Sequence, residues 1–451
     1  MQVNSNIFYK IIGAMVLPIM LSSVDAIAQN ESDFSLKAQF RPRFELRDGN
    51  FRPLNENEKP AALISERIRL SMDYSYKNIL EVKIAPQSVG VWGQANMVQG
   101  AENSGNQLSL FEAWAKLRLN DNWNLKTGRQ VISLDDERFF GELDWAQGGR
   151  AHDAVSIHYN KNNYELKGFF AFNQNYRSVY GNNLNNPSGN YYNTTDALPY
   201  KWMQTLWAGI PIDKYSKITV IATNLGLQNI SSPTSDTVVR FSQTIGANYF
   251  YKDSKISGQL AAYFQNNPIP LKSTNNAFMF AANLDYKVNE NWKIGIGSDY
   301  LTGNDINQTI PNTKNNAFNP YFHTGHKFYG NMDYFYAGNG HRGVGLSDNY
   351  LKVVYNSDRA YSINAVFHQF FTPNSINVLS TIGEYSKNLG QELDLSFSTK
   401  LNNFASLTGG YSFFLNTETL NYLKSTFTTD SYQQWLWISL NVNPTLFKIK
   451  N

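Results

Sequence analysis

The sequence has no cysteine, a formal net charge of only +3 and, after its first 28 residues, no long apolar run. A membrane-spanning helix needs about 18 consecutive apolar residues, so the chain beyond that point does not cross a membrane as helices. The lack of cysteine excludes a disulfide framework. It does not identify the compartment, because both exported and cytosolic proteins can lack cysteine. A net charge of +3 is too small to predict nucleic-acid binding through the phosphate backbone.

The first residues carry the features of a secretory signal peptide. Lys10 precedes an apolar run from Ile11 to Leu21, and Ala28 ends a stretch of small residues that signal peptidase accepts. We therefore expect residues 1–28 to be a signal peptide that is cleaved after Ala28. Residues 29–451 contain no linker rich in Pro, Gly and Ser and no shift in composition, which predicts a single domain.

Eighteen short stretches alternate apolar and polar residues, which is the period of a strand with one apolar and one polar face. In the first stretch, for example, Phe40 alternates with Arg41 and Phe44 with Arg43. The expected strands begin near residues 34, 63, 79, 107, 122, 151, 163, 200, 216, 236, 255, 277, 291, 348, 359, 390, 403 and 433.

The gaps between these stretches alternate between short polar turns and longer segments. The longer gaps are residues 48–62, 93–106, 134–150, 174–199, 225–235, 267–276, 303–347, 371–389 and 415–432. Aromatic residues make up 14% of the chain and flank the short turns, as Tyr76, Trp123 and Trp292 do. Aromatic girdles at both interfaces are typical of outer-membrane barrels. The sequence therefore predicts an all-β protein, an 18-stranded antiparallel transmembrane β-barrel with short periplasmic turns and long extracellular loops.

A soluble all-β fold, either two sandwiches or a propeller, is the alternative because its strands also alternate. A soluble core shares its apolar face between packed sheets. In this chain the apolar face recurs on all eighteen stretches, with Arg and Glu opposite. The barrel is therefore favoured, and its even strand count places both termini in the periplasm.

Three motifs and a later block carry a family resemblance. The motifs are LKTGRQ at 125–130, DDERFFG at 135–141 and DWAQGGR at 144–150, followed by DAV at 153–155 and by a Gly- and Tyr-rich block at 324–335. This pattern resembles the alginate export family of outer-membrane porins, and the resemblance covers essentially all of residues 29–451. It implies an eighteen-stranded monomeric channel with a basic lumen, through which an anionic polysaccharide such as alginate leaves the cell.

Basic residues with inward parity on the first four strands, or within the motifs, form the expected substrate pathway. They are Arg41, Arg43, Arg67, Arg69, Lys83, Lys116, Arg118, Arg129, Arg138 and Arg150. Such a cluster raises the local concentration of anions, and Arg offers bidentate contacts to carboxylates. Carboxylates such as Glu45 and Glu112 lie among them, so the alternative is a hydrated ladder of salt bridges along the wall.

Three features stay open at the level of sequence. Arg129 has outward parity relative to Trp123 and Leu125, and only a bulge at Gly128 would turn it inward. Residues 135–150 either fold into the lumen as a constriction or stand outside as a knot of salt bridges. The connection 303–347 either plugs the mouth or meets a partner.

No residue pattern predicts catalysis. The six histidines are spread along the chain, and none adjoins a Ser or an acid in a nucleophile motif. His323 and His326 have a spacing that a metal can use, but a solvated or hydrogen-bonded pair is favoured because they lie in a Gly-rich loop with no cysteine nearby. Asp135 and Asp136 are expected to be solvated loop acids, since neither has an identifiable partner for a glycosidase pair. We therefore predict a protein that is not an enzyme, with no metal and no cofactor.

The sequence thus predicts a channel of the cell outer membrane for passive diffusion or export of anionic solutes, including an acidic polysaccharide such as alginate. The alternatives are a general or nutrient-uptake porin, and a plugged barrel with an adhesion or structural role. The expected partners are outer-membrane lipid and an anionic solute, and nucleic acid is not expected. No polar stripe is obvious on the outward faces, which favours a monomer.

Overall fold

The computed structural model describes residues 31–49, 51–93, 107–173, 200–228, 239–266, 276–307, 315–335, 340–357, 361–378 and 383–450. The predicted signal peptide, residues 1–28, lies outside the described residues. Several predicted outer loops, among them 174–199, also lie outside them in whole or in part.

Strands dominate the chain. In order they are β1 (Ser32–Arg47), β2 (Ala61–Tyr76), β3 (Leu80–Val91), β4 (Gln107–Arg118), β5 (Trp123–Gln130), β6 (His152–Lys161), β7 (Tyr164–Phe172), β8 (Tyr200–Pro211), β9 (Ser216–Gln228), β10 (Val239–Lys252), β11 (Ile256–Asn266), β12 (Asn276–Lys287), β13 (Trp292–Leu301), β14 (Ile306–Asn307), β15 (Leu346–Asn356), β16 (Tyr361–Phe371), β17 (Ile376–Val378), β18 (Gly383–Glu384), β19 (Asn388–Lys400), β20 (Ala405–Asn416), β21 (Tyr432–Val442) and β22 (Thr445–Lys450). A 3₁₀ turn spans Gly325–Lys327, and one helix, α1, spans Glu418–Lys424. Over the described ranges, no helix is long and apolar enough to cross a membrane.

Nineteen strands form one closed sheet, in which each strand pairs antiparallel with its neighbours and β1 pairs with both β21 and β22. The last two strands follow each other along the same edge of β1, with Phe44 opposite Ile438 and Leu36 opposite Phe447. Pro444 separates them, because proline cannot donate to the ladder. They therefore make up one interrupted strand, and the predicted 18-stranded barrel is confirmed. The remaining strands, β14, β17 and β18, form a small separate sheet.

The strand positions and faces agree with the alternation in the sequence. Every strand of the wall begins within three residues of its predicted position. On β1 and β2, Phe40, Phe44 and Ile68 are exposed on the outer surface, whereas Arg41 and Arg67 are buried inside. The outer surface is thus apolar and suits lipid, and the charged face points into the lumen.

The periplasmic turns are short and flanked by aromatic side chains. Between β6 and β7, Asn162 and Asn163 have φ values of 51° and 66°, as a type I′ hairpin turn requires. Trp123 contacts Tyr159 and Trp292 contacts Tyr355, each with ring centroids 4.8 Å apart. These pairs form part of the aromatic girdle at the periplasmic interface.

Two connections fold back inside the barrel. We call residues 131–151 the first inner loop and residues 315–335 the second inner loop. Phe139, Phe140 and Phe322 from these loops are buried and pack together with inward wall residues such as Met279. A hydrophobic core therefore lies within the lumen, in addition to the apolar surface that faces the membrane.

Candidate functional site

The first inner loop crosses the lumen from one side to the other. At one end, the Asp144 carboxylate accepts hydrogen bonds from Arg41 at 3.2 Å and Arg67 at 2.8 Å, on β1 and β2. Toward its other end, Asp135 accepts a hydrogen bond from Asn248 on β10, about half a circumference away. Burial alone would raise the pKa of Asp144, but Arg67 and Arg41 outweigh it and hold that pKa below its usual value. Residues 135–150 therefore lie inside the barrel.

Three of the predicted pathway arginines hold this loop against the wall. Arg41 donates to the side chain of Gln147 at 3.0 Å, and Arg67 donates to its carbonyl at 3.2 Å. Arg43 donates to the carbonyl of Trp145 at 2.8 Å and stacks over its ring at 4.1 Å. Their side chains are 11%, 1% and 10% exposed for Arg41, Arg67 and Arg43. These guanidinium groups are occupied by the loop and have little surface left for a solute.

Arg138 fastens the same loop to the opposite wall. Its guanidinium pairs with Asp136 at 2.7 Å, forms an ion pair with Asp299 on β13 and lies 4.3 Å from the ring of Phe328. Burial opposes the charge on Arg138, but Asp299 and Asp136 outweigh burial and raise its pKa well above the usual value. Arg138 is thus a permanently charged anchor rather than a group that faces a solute.

Asp135 also contacts the wall, since it accepts a hydrogen bond from the indole of Trp207 at 2.9 Å. Burial raises the pKa of this carboxyl group. Asp136 is engaged by Arg138. The expectation that both acids are solvated was therefore wrong, because the loop that carries them lies inside the barrel.

Arg150 joins the two inner loops. Its guanidinium donates to the carbonyls of Phe322 and His323, the latter at 3.0 Å. Phe140 and Phe322 form a parallel β-bridge, and their rings stack with centroids 5.1 Å apart. The two loops therefore behave as one packed unit, and part of the 303–347 connection enters the lumen.

The second inner loop covers the acidic side of the wall. Glu392 on β19 accepts a hydrogen bond from the backbone N–H of Met332 at 2.6 Å, and Asp394 accepts one from Asn331 at 3.2 Å. Both carboxylates are buried, as is Asp299, which pairs with the first inner loop. The acids on this side are therefore sealed from the lumen by the loops.

The remaining inward residues of the predicted pathway lie lower on the wall and are more accessible. Lys83 pairs with Glu112 at 2.7 Å and Lys116 with Glu81 at 2.6 Å, with 27% and 29% of the lysine side chains exposed. Arg118 pairs with Asp121 at 2.9 Å beside a periplasmic turn. The structure thus brings these residues together on one sector, as a ladder of wall salt bridges.

Arg69, the remaining inward arginine on β2, serves the wall itself. It donates to the side-chain oxygen of Gln87 at 2.7 Å and lies 3.4 Å over the ring of Phe111. Gln87 in turn donates to the carbonyl of Gly148 in the first inner loop. Arg69 is therefore connected to that loop through the side chain of Gln87.

Three further lysines that the sequence analysis missed continue this sector. Lys126 lies 4.0 Å over the ring of Trp114, and Lys167 and Lys217 share Glu165 at 3.1 and 2.8 Å. Their sequence signal is inward parity on β5, β7 and β9; Lys126 lies within the motif at 125–130, whereas Lys167 and Lys217 lie outside the motifs. We call Lys83, Lys116, Lys126, Lys167 and Lys217 the lysine sector.

Arg129 lies on the outer surface of the barrel. It pairs with Asp153, with both hydrogen bonds at 2.8 Å. The ladder runs without a shift from Trp114 opposite Gly128 to Ala113 opposite Arg129, so the bulge that would turn Arg129 inward does not form. The prediction that Arg129 lines the substrate pathway was therefore wrong.

The His323 and His326 pair does not converge on a common ligand. His326 stacks on Trp145 with centroids 3.9 Å apart and hydrogen-bonds Asp333 at 2.9 Å. His323 hydrogen-bonds the carbonyl of Pro320 through Nδ1 at 2.8 Å. Within the part of the chain that the structure describes, no group of three or more His, Cys, Asp and Glu side chains could hold a metal ion.

Two buried histidines make the packing of the second inner loop sensitive to acid. Burial and Arg150 lower the pKa of His323 to about 3, and burial lowers that of His341 to about 4. His341 accepts from the N–H of Gly345 through Nδ1, so it must be neutral in the folded state. Both pKa values are lowered from about 6.5 in the folded state, so the stability that the two neutral histidines confer is complete above pH 6.5. That stability is lost as the pH falls toward 4 for His341 and toward 3 for His323.

We therefore expect His323 and His341 to lower the stability of the folded barrel on acidification. At pH 5, each histidine should contribute a loss of about 2 kcal/mol, from 1.36 kcal/mol for each pH unit below 6.5. The measurement is the thermal unfolding midpoint at pH 7.5 and pH 5.0 for the wild type and for the His323→Gln, His341→Gln double variant. Equal pH dependence in the two proteins would contradict the assignment.

Comparisons with known proteins bear on the fold and on one third of the chain. Residues 32–172 match the family described as alginate export. None of the curated proteins matches the chain. The structure resembles solved outer-membrane proteins over 91–92% of its length. One is Acinetobacter baumannii OccAB3, with a TM-score of 0.60, 10% identity and 99% of that chain covered. Two others are Pseudomonas aeruginosa OpdK, solved with vanillate (TM-score 0.58, 8% identity, 98% of that chain), and Pseudomonas aeruginosa OccK8, or OprE (TM-score 0.57, 10% identity, 98% of that chain).

Proposed function

We propose that this outer-membrane porin conducts anionic solutes by passive diffusion. Its residues 32–172 match the alginate export family. One observation carries the proposal. The wall charges that remain accessible to the lumen are mainly the cations of the lysine sector, whereas the acids of β13 and β19 are covered by the inner loops.

The balance of charge along the wall supports an anion preference. On the described residues of β3–β9, the lysine sector and Arg118 outnumber the three inward carboxylates, Glu81, Glu112 and Glu165. On β12–β15, Asp285 is shared by Lys293 at 3.3 Å and Lys352 at 2.8 Å, so it is fully compensated. A narrow lumen with low-dielectric walls focuses the electric field of such an excess of positive charge and so raises the local concentration of anions.

The inner loops favour small solutes over a polymer. They cross the lumen, pack into a common hydrophobic core and are fastened to both walls by Arg67 and Arg138. An extended polysaccharide would have to displace this core, whereas a small carboxylate needs only the space beside the lysine sector. Export of an acidic polysaccharide such as alginate is the second candidate, which the match over residues 32–172 favours.

One chain encloses the whole pathway, so each barrel is a complete channel.

The lysine sector provides the test. Replacing Lys116, Lys126 and Lys167 with Gln removes three positive charges from the lumen and should lower the anion-to-cation permeability ratio by about threefold or more. The measurement is the reversal potential of the purified protein in planar bilayers under a potassium chloride gradient. These three lysines are chosen because no buried carboxylate loses its partner. Glu165 still pairs with Lys217, and Glu81, which loses Lys116, is half exposed.

A matched control removes the same charge from outside the lumen. Lys59, Lys214 and Lys255 are exposed in loops and turns, and their replacement with Gln should leave the permeability ratio close to that of the wild type. An equal change in the two triple variants would show that net charge, and not the lysine sector, sets the selectivity.

A further inference from the structure

The first inner loop leaves the barrel wall at a step in the sheet. β5 ends at Gln130 and β6 begins at His152, so the loop enters and leaves the lumen between these two neighbouring strands. On the other side of β5, the pairing with β4 ends where Ala113 lies opposite Arg129. Beyond that rung, in the described ladder, residues 107–112 of β4 pair with β3 alone. A strand edge without a partner strand therefore lies beside the base of the loop.

Arg129 spans this step on the outer surface of the barrel. Its guanidinium makes two hydrogen bonds to Asp153 on β6, both at 2.8 Å, and a third to the carbonyl of Leu110 on β4 at 3.1 Å. Leu110 lies beyond the last rung between β4 and β5, so no residue of β5 lies opposite its carbonyl. In lipid a backbone carbonyl has to find its donor within the protein. Arg129 thus connects three strands at the point where the loop departs.

The ion pair lies directly behind the two ends of the loop. Arg129 and Asp153 are opposite each other in the ladder, and the next rung joins Gln130 to His152. On the lumen side, the ring of His152 packs against Phe140 of the loop, with centroids 6.0 Å apart. The same strand ends are therefore held from the lumen by packing and from the membrane by an ion pair.

The depth of the pair in the membrane favours a lasting contact. Arg129 is six residues along β5 from Trp123, which belongs to the periplasmic girdle. With a rise of about 3.3 Å per residue and a tilt of about 40°, this places the pair about 15 Å into an apolar band about 25 Å tall. Charged side chains are costly at such a depth unless they are paired, and no water competes for their hydrogen bonds. Arg129 and Asp153 are therefore expected to stay together.

Gly128 lets the two strands meet closely beside the pair. Its φ of 118° lies in the left-handed region, which favours glycine. A Cβ at this position would clash with the carbonyl oxygen of Ala113 on β4. This close approach places Arg129, the next residue, beside β4. Within the motif at 125–130, Gly128 and Arg129 thus serve the same junction.

We propose that Arg129 is a positioning residue of the channel, which together with Asp153 clasps the base of the first inner loop from the membrane side and keeps that loop in the lumen. The pair lies on the outer surface, with 38% and 49% of the two side chains exposed there, so it contacts no solute in the lumen. It holds β5 and β6 together where the chain turns inward and ties both to β4. Without it the base of the loop opens, although Arg67 and Arg138 still attach the loop further along.

A thiol at the start of the loop reports whether the base opens, because the chain has no cysteine of its own. Ile132 is 2% exposed, so the Ile132→Cys thiol should react slowly with a water-soluble maleimide in outer membranes. Adding Arg129→Leu should raise this labelling rate by about tenfold or more, because buried groups react through local opening. Val344→Cys, at a buried site in another connection, is the control and should keep its rate.

Two further variants separate the clasp from the cost of a lone charge. Arg129→Leu with Asp153→Leu removes the pair without leaving an unpaired carboxylate, and it should label as fast as Arg129→Leu alone. Arg129→Asp with Asp153→Arg restores the attraction across the base of the loop, and its labelling rate should return close to that of the native pair. Heat-modifiable migration on gels confirms that each variant still forms a barrel.

Four results would each overturn the proposal. They are an unchanged rate at Ile132→Cys in Arg129→Leu, an equal rise at Val344→Cys, slow labelling when both charges are replaced with leucine, and fast labelling when the charges are exchanged. Labelling reports the position of the loop and not the ions that pass, so its outcome is separate from that of the selectivity measurement.

Discussion

Replacing Arg138 with Met should lower the free energy of unfolding by about 3–5 kcal/mol, the typical cost of removing one partner of a buried ion pair. Arg138 is buried between Asp136 and Asp299, and its loss leaves the Asp299 carboxylate uncompensated within the lumen. The first inner loop would also lose its attachment to β13. The measurement is the urea dependence of unfolding, followed by tryptophan fluorescence, for the wild type and the variant.

The control for this prediction removes both members of the pair. In the Arg138→Met, Asp299→Leu double variant neither member of the fully buried pair remains, and Asp136, the other partner of Arg138, keeps 14% of its side chain exposed. Apolar residues replace buried ion pairs at little cost. Most of the lost stability should therefore return. A double variant as unstable as Arg138→Met alone would contradict the view that the uncompensated carboxylate causes the loss.

Replacing Arg41 and Arg67 together with Met should raise the single-channel conductance by about twofold or more, because one end of the loop that narrows the pore is loosened. Both arginines hold Asp144 and Gln147 of the first inner loop against β1 and β2. Without them Asp144 loses both of its cationic partners. This end of the loop then keeps only the contacts that do not involve these arginines, such as those of Trp145 with Arg43 and of Gly148 with Gln87, whereas Arg138 still anchors the other end. The measurement is the distribution of single-channel conductances in planar bilayers.

Arg69→Met is the matched control for this second prediction. Arg69 also lies on β2, but its hydrogen bonds go to Gln87 and its guanidinium lies over the ring of Phe111, both on the wall. Its loss should change the conductance far less than the Arg41, Arg67 double substitution. If Arg69→Met alone raised the conductance equally, a general loss of wall charge would explain the effect better than release of the loop.

The fold could be predicted from the sequence because each strand carries its own signal. Alternation fixes which face of a strand meets lipid, and β1 shows this with Phe40 outside and Arg41 inside. The interrupted last strand was less apparent. The chain continues past Pro444, and only the pairing of Leu36 with Phe447 shows that β22 completes the wall.

The candidate site could be predicted only in part, since its roles depend on contacts between distant residues. Inward parity placed Arg67 and Lys83 correctly in the lumen, but nothing local indicates that Arg67 binds Asp144, 77 residues away. Parity also placed Arg129 outside, and the bulge invoked to turn it inward was the error. Lys126 carried the same inward signal as Lys83 and was overlooked.

The most direct test of an anion-selective pathway along the lysine sector and past the inner loops is a reversal-potential measurement. The wild-type protein is recorded in a planar bilayer under a potassium chloride gradient, before and after addition of a polyuronate. The account predicts an anion-selective current that a small uronate reduces more than the polymer does, whereas preferential block by the polymer would favour polysaccharide export. A cation-selective current, or no current from a correctly folded barrel, would contradict the account.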